Sequence, residues 1–270
     1  MNMKEEALLR VENLTKIFKT GFLGKGEKII AVNDVSFFLK KGEVLSLIGE
    51  SGSGKTTIAR LILKLLKPTS GRIYYEDTDI WEISDKAYWR KVQAIFQDPY
   101  ASFNSFYKVE RTLKNVFKLF PDKVSEGEKD KKVHEALEKI GLNPKEVLGK
   151  HPFELSGGQM QRLLLARCLI IDPEVIIADE PTSMVDASMR VILLNIFKEL
   201  SKKADKSIIF ITHDISQAFY ISDRVLVMYR GRIVENGPVE QILFSPQHPY
   251  TKRLISDVPK LHEKFKFTLT

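Results

Sequence analysis

The sequence predicts an α/β fold with a mixed sheet core, an antiparallel β edge and an inserted α-helical subdomain. Three observations lead there. Short apolar runs of strand length alternate with helical periodicities along the chain, the pattern of a parallel sheet covered by helices. Two early segments instead alternate polar and apolar residues with period two, which suits strands with one buried face. Residues 101–155 carry helical patterns only. At 270 residues, 43% of them apolar, the chain is long enough for one substantial core, and no glycine- or proline-rich linker divides it, so 1–270 reads as one domain.

In order along the chain, ALLRVENLTKIF and AVNDVSFFL are the period-two segments, flanking a loop at Gly21 to Lys28. EVLSLIG reads as a strand buried on both faces, and after a glycine-rich turn TTIARLILKLL predicts a helix stopped by Pro68 and Gly71. VQAIF, ending at Phe96, predicts a strand, and RTLKNVFKLF and KDKKVHEALEKIGL predict helices of the insert. A leucine-rich helix starts at Gly157, and EVIIAD (174–179) and SIIFIT (207–212) are buried strands. RVLVMYR and RIVENG form a hairpin turning at Arg230 and Gly231. A short helical pattern and the segment SPQHPYTKRL, within a tail over 237–270, close the chain.

Composition excludes several classes. Lys and Arg exceed Asp and Glu by 42 to 35, a net +7 that permits a basic face without requiring one. No apolar stretch approaches the roughly 18 residues of a membrane span, and MNMKEEALLRVENL lacks the basic-then-apolar order of a signal peptide. The chain is therefore expected neither to enter nor to cross a membrane by itself. The single cysteine, Cys168, makes no internal disulfide and no cysteine metal cluster, which points to a reducing compartment.

The strongest motif is GESGSGKTT: Gly49, Glu50, Ser51, Gly52, Ser53, Gly54, Lys55, Thr56 and Thr57 fit G-x-x-x-x-G-K-[ST] between a buried strand and a helix. Polyphosphate is a dense anion. Glycines let backbone N–H groups approach it, the helix presents its positive end, and Lys55 adds a full charge. Thr56 is placed to hold Mg²⁺ through its hydroxyl, and a second anchor is expected at the end of another apolar strand. VIIADE supplies Asp179 for the metal and Glu180, pointing elsewhere, for polarising the attacking water. Further along, Ser156, Gly157 and Gly158 open a helix, either as a serine N-cap with a Gly-Gly turn or as a second anion site.

The residues LSGGQ, Leu155 to Gln159, resemble the signature of the ATP-binding cassette (ABC) family, and the likeness covers nearly the whole chain. FQDP at 96–99 looks like the Q-loop, VIIADEPTS at 175–183 like Walker B, SMVDAS at 183–188 like the D-loop and ITHD at 211–214 like the switch histidine. The resemblance implies a P-loop NTPase of the ABC ATPase type that binds ATP and Mg²⁺. Two cassettes pair head to tail, and Ser156, Gly157, Gly158 and Gln159 of one close over the nucleotide of the other. Gln97 would sense metal and water at the joint to the insert, His213 would contact the γ-phosphate, and Asp186 would cross the dimer interface. Phe18 is the residue nominated for adenine stacking, with Phe22 nearby and a core role for Phe18 as the alternative. The insert over 101–155 looks like the subdomain that docks on a membrane partner.

SPQHPYTKRLI, from Ser245 to Ile255, resembles the C-terminal signature of the oligopeptide and dipeptide importer ATPases, as do AVNDVSFFLKKGEVLSLIGESGSGKTT and IFQDPYASFN. Met184 and Val185 depart from that subfamily, as does FNSF where a proline is common; both leave the nucleotide chemistry intact. The resemblance implies a peripheral protein on the cytoplasmic face of the membrane. Its expected partners are a second ABC ATPase, alike or different, integral permease subunits and, indirectly, an extracytoplasmic solute-binding protein. Peptides are the expected solute; oligosaccharides and nickel occur in the same subfamily. The rival from another class is a soluble ABC-type ATPase acting on nucleic acid, with which the net charge is compatible. A cassette that does not hydrolyse would lack Glu180 or His213, and both are present.

Overall fold

The computed structural model describes residues 7–19 and 26–256. The start of the chain, most of the loop expected at Gly21 to Lys28 (with Phe22) and the end of the tail lie outside the described residues. In chain order the elements are β1 (Ala7–Lys19), β2 (Lys28–Lys40), β3 (Val44–Ile48), α1 (Lys55–Ile62), β4 (Ser70–Tyr75), β5 (Thr78–Asp79) and α2 (Asp85–Lys91). Then follow β6 (Val92–Ile95), α3 (Val109–Asn115), α4 (Glu126–Lys139), α5 (Pro144–Val147) and α6 (Gly157–Ile171). The rest are β7 (Val175–Asp179), α7 (Ala187–Ala204), β8 (Ser207–Thr212), α8 (Ile215–Ile221), β9 (Arg224–Tyr229), β10 (Arg232–Pro238), α9 (Val239–Phe244) and α10 (Pro249–Ser256).

One sheet has the order β10-β9-β3-β8-β7-β6, parallel except for the β9–β10 hairpin at its edge. Arg230 and Gly231 turn that hairpin with φ of 48° and 80°, the two positive values a two-residue turn of matching twist requires. The period-two segments pair as β1 and β2, and β4 and β5, which the apolar pattern does not announce, extend them into a separate sheet, β2-β1-β4-β5.

Alternation survives inside the fully buried strands and decides the layers. Val175 and Ile177 of β7, with Ile209 and Ile211 of β8, pack under α1 and the antiparallel sheet. Ile176, Ala178, Ile208 and Phe210 face α6, α7 and the helices before Leu155. Successive side chains of a strand point oppositely, so each run of apolar residues serves two cores. A third cluster joins Ile48, Val225 and Val227 to α8, α9 and Tyr250.

Helix α1 ends at Ile62, short of the expected Pro68 stop. Lys64 adopts φ 60°, and the N–H groups of Leu65 and Leu66 both donate to the Arg60 carbonyl, at 2.9 and 3.1 Å, the bonding of a left-handed helix terminus. The Lys64 ammonium is drawn inward, where it donates to the Ile83 carbonyl (2.8 Å) and pairs with Asp85 (2.6 Å). The helix thus stops before its apolar periodicity does, at a left-handed residue whose side chain is held by Ile83 and Asp85.

Candidate functional site

The parallel strands carry the predicted motifs on their carboxyl ends. Gly49 follows β3, Gln97 follows β6, Asp179 and Glu180 close β7, and His213 follows β8. Open α/β sheets bind ligands there, where strand ends meet helix N-termini. Ser51, Gly52, Gly54, Lys55, Thr56 and Thr57 line a cleft of about 270 Å³ with Gln97 and Glu180, and Ala31 of β2 completes it. Larger hollows, of about 700 and 680 Å³, lie along the helical segment, but neither touches the glycine-rich loop or the carboxylates of β7. Chemistry, not size, selects the cleft.

Lys55 opens α1 and is 5% exposed. Its ammonium donates to the carbonyls of Gly49 (2.7 Å) and Glu50 (2.8 Å) and to Ser53 Oγ (3.3 Å). Burial pulls its pKa down, opposed by the carboxylates of Glu180, Asp179 and Glu50. Gly54 has φ 108°, and a Cβ there would overlap the Ala31 carbonyl oxygen, so the loop and β2 meet backbone to backbone.

Asp179 is 4% exposed, and the Thr56 hydroxyl donates to its Oδ1 at 3.4 Å, a long contact. Burial raises the Asp179 pKa, and the bond from Thr56 opposes the rise. A buried carboxylate and a hydroxyl beside a phosphate-binding loop fit Mg²⁺, a hard cation that takes few protein ligands and relies on phosphate oxygens. No group of three or more His, Cys, Asp or Glu residues suited to a metal occurs among the described residues.

Glu180 stands just past β7 with φ 49°, its N–H donating to the Ile211 carbonyl at 2.8 Å. Its Oε1 lies 2.9 Å from His213 Nδ1. A carboxylate only accepts, so the proton of this bond sits on Nδ1. Asp214 caps α8 by accepting from the N–H groups of Ser216 (3.0 Å) and Gln217 (3.3 Å), which anchors the turn that carries His213.

The signature residues stand apart from this cleft. Ser156 caps α6: its Oγ accepts from Gln159 N–H at 3.2 Å while Gln159 Oε1 accepts from Ser156 N–H at 3.0 Å, a reciprocal capping box. Ser156, Gly157, Gly158 and Gln159 are not among the residues lining the cleft. A Cβ on Gly157 would come 3.1 Å from the Met184 carbonyl, and one on Gly158 3.4 Å from the Met189 side chain. Asp186 caps α7, accepting from Ser188 Oγ (2.6 Å) and Met189 N–H (2.8 Å), and these bonds hold its carboxyl below the usual range. Met184, Val185 and Met189, on either side of Asp186, are thus the residues of this segment that approach the signature turn, and Asp186 is not among the residues lining the cleft.

Phe18 lies near the end of β1 opposite Ile29, 37% exposed, with the Lys16 ammonium 5.3 Å from its ring. It is not among the residues lining the cleft. Ala31 is a cleft residue that the sequence reading missed, because nothing in an alternating strand marks which small residue faces a distant loop. Tyr250 and Arg253 were also missed as neighbours of that loop. Their motif is visible in the sequence, but its contact is not: the Tyr250 hydroxyl accepts from Glu50 N–H at 2.9 Å, and Arg253 donates to the Glu50 carboxylate at 3.1 Å.

Against known sequences, the profile of the family described as ABC transporter matches residues 32–183. The chain belongs to the ABC transporter family. This ABC protein is 41% identical to the dipeptide transport ATP-binding protein DppF of Haemophilus influenzae, over 97% of this chain and 82% of that protein. It is also 41% identical to the oligopeptide transport ATP-binding protein OppF of Bacillus subtilis, over 94% and 83%. A solved dimer of the ATP-binding cassette MJ0796, in a post-hydrolysis state bound to ADP and Pi, superposes with TM-score 0.77 at 28% identity, covering 86% of this chain and 98% of that one. The structure of cbiO1 from Clostridium perfringens, part of the cbiONQ complex, superposes with TM-score 0.75 at 29% identity, over 89% of this chain and 92% of that one. This ABC protein therefore shares the ABC ATPase fold, and its nucleotide-binding nature follows from the family. The relatives compared are transport proteins, and the nucleic-acid reading finds no support among them. No helix among the described residues is long and apolar enough to cross a membrane.

Proposed function

We propose that this ABC protein is the ATP-binding and ATP-hydrolysing subunit that powers an importer of dipeptides or oligopeptides. The observation that carries the hydrolytic part is the Glu180–His213 pair, 2.9 Å apart at the edge of the cleft that holds Lys55 and Thr56. The backbone N–H groups of the loop residues that line the cleft and the Lys55 ammonium bind the phosphates. Thr56, Asp179 and Gln97 hold Mg²⁺, which when bound neutralises phosphate charge and fixes the orientation of the phosphates. Glu180 polarises the attacking water. His213, its Nδ1 proton on Glu180, orients that carboxylate and leaves Nε2 for the γ-phosphate. Catalysis is positioning and charge stabilisation without a covalent intermediate.

The remaining roles follow the same reading. Ser156, Gly157, Gly158 and Gln159 close over the nucleotide of a second cassette, with Asp186 crossing between the two. Phe18 stacks on adenine. Residues 101–155 dock on integral permease subunits and Gln97 couples them to nucleotide state, which places the protein on the cytoplasmic membrane face, served indirectly by an extracytoplasmic solute-binding protein. Peptide as solute is supported by the names of the relatives and by the subfamily-like tail at 245–255.

The decisive experiment is Glu180→Gln. ATP affinity by calorimetry stays within about twofold, whereas phosphate release falls by at least about a hundredfold, the scale of removing a catalytic base. Unchanged turnover would sink the assignment. Co-purification with an integral membrane permease tests the transport half.

A further inference from the structure

We propose that Tyr250 is a positioning residue for the phosphate-binding loop, holding Glu50 from outside the cleft so that nucleotide affinity depends on the C-terminal helix. The inference rests on the nucleotide reading of that loop. Glu50 is its second residue, and all its polar groups are engaged. Its N–H donates to the Tyr250 hydroxyl at 2.9 Å, its carbonyl accepts from Lys55 Nζ at 2.8 Å and from Ser53 N–H at 3.2 Å, and its carboxylate accepts from Arg253 at 3.1 Å. The hydroxyl and the loop lysine therefore hold one residue at two points, its N–H and its carbonyl. Without the hydroxyl, the Glu50 N–H loses this partner, and the residue whose carbonyl aligns the ammonium gains freedom.

Tyr250 is itself held firmly enough to act this way. It is 8% exposed, and its ring stacks on Tyr229 with centroids 4.2 Å apart and planes at 27°. It packs in the cluster that contains Ile48, two residues before Glu50. The start of its helix is anchored to β10: Glu235 accepts from the N–H groups of Gln247 (2.7 Å) and His248 (3.1 Å), and His248 Nδ1 accepts from Tyr250 N–H (3.2 Å). A continuous path of hydrogen bonds thus runs from the sheet edge through the HPYT segment to the phosphate loop. The Arg253–Glu50 pair is exposed, 72% and 48%, so it adds little. The Tyr250 hydroxyl is the element that counts.

Tyr250→Phe keeps ring and stacking and deletes only the hydroxyl, and with it the acceptor for the Glu50 N–H. The expected result is a roughly fivefold weaker dissociation constant for a non-hydrolysable ATP analogue by calorimetry, the scale of one net hydrogen bond. In the nucleotide-free protein, hydrogen exchange at the Glu50 amide speeds up while that of α6 amides does not change, and the melting temperature moves by no more than about 4 °C. Arg253→Gln stays within about twofold of the parent affinity. Lys55→Ala provides the reference. Parent-like affinity in Tyr250→Phe beside a loss in Lys55→Ala overturns the proposal alone, whatever the melting temperature does. Parent-like affinity in both overturns the nucleotide reading and the proposal with it.

Discussion

Gly54 and Gly52 carry different burdens within the same loop. Both have positive φ, 108° and 79°, but a Cβ on Gly54 would strike the Ala31 carbonyl and the Met228 side chain, whereas one on Gly52 meets nothing within 4 Å. Gly52→Ala is expected to cost about 1 kcal/mol from backbone conformation alone. Gly54→Ala adds a backbone collision and should cost about 3 kcal/mol or more, read by urea denaturation. Equal costs would mean that φ alone governs the loop. At this scale much of the site was legible. The type and spacing of Gly49, Lys55, Thr56, Asp179 and Glu180 are those that phosphate and metal chemistry would ask for, whereas His213 was marked only by the family resemblance. Ala31 was illegible, because its place comes from β2 passing over the loop. Cys168 shows the opposite case: burial pushes its thiol up to about 12, so it stays protonated at neutral pH.

Between elements, Glu174 ties three strands and both sheets together. Its N–H donates to the Lys91 carbonyl and its carbonyl accepts from Ser207, each at 2.9 Å, while its carboxylate takes the Tyr75 hydroxyl of β4 at 2.5 Å and the Lys91 ammonium. Burial alone would raise its pKa, but the bonds from Lys91 and Tyr75 more than offset this and leave it below the ordinary value of 4.5. The unfolded chain therefore takes up this proton more readily than the folded one. The stability it contributes is whole above the unfolded pKa and is lost as pH falls through the folded one. Glu174→Gln should flatten the acid limb of a melting temperature against pH curve; an unaltered acid limb would place that stability elsewhere. The strands β3, β7 and β8 were legible as apolar runs. β4 and the end of α1 were not: SGRIYY is short and only half buried, and the helix stops where Lys64 is drawn to Ile83 and Asp85.

For the whole molecule, the separation of Ser156 from the cleft of its own chain has a consequence under the proposed reading. One cassette holds two half-sites, so a complete site needs a second. With ATP, Glu180→Gln should double its sedimenting mass, alone or with the other cassette of its transporter, and Ser156→Arg should abolish the pairing without weakening ATP binding to the monomer. ATP-independent mass in both mixtures would exclude the shared site.

The sequence by itself determined the residues on which the proposed phosphate, metal and water chemistry rests, the buried strands that present them, and the family, because charge, glycine freedom and apolar periodicity act locally and leave residue patterns. Only the tertiary structure decided which side of each strand faces which core, where α1 ends, that Ala31 closes the cleft and that Tyr250 reaches Glu50 across 200 residues of chain. Those are contacts between segments far apart in sequence. Their energies depend on how the sheets and helices pack, and no single segment contains that information.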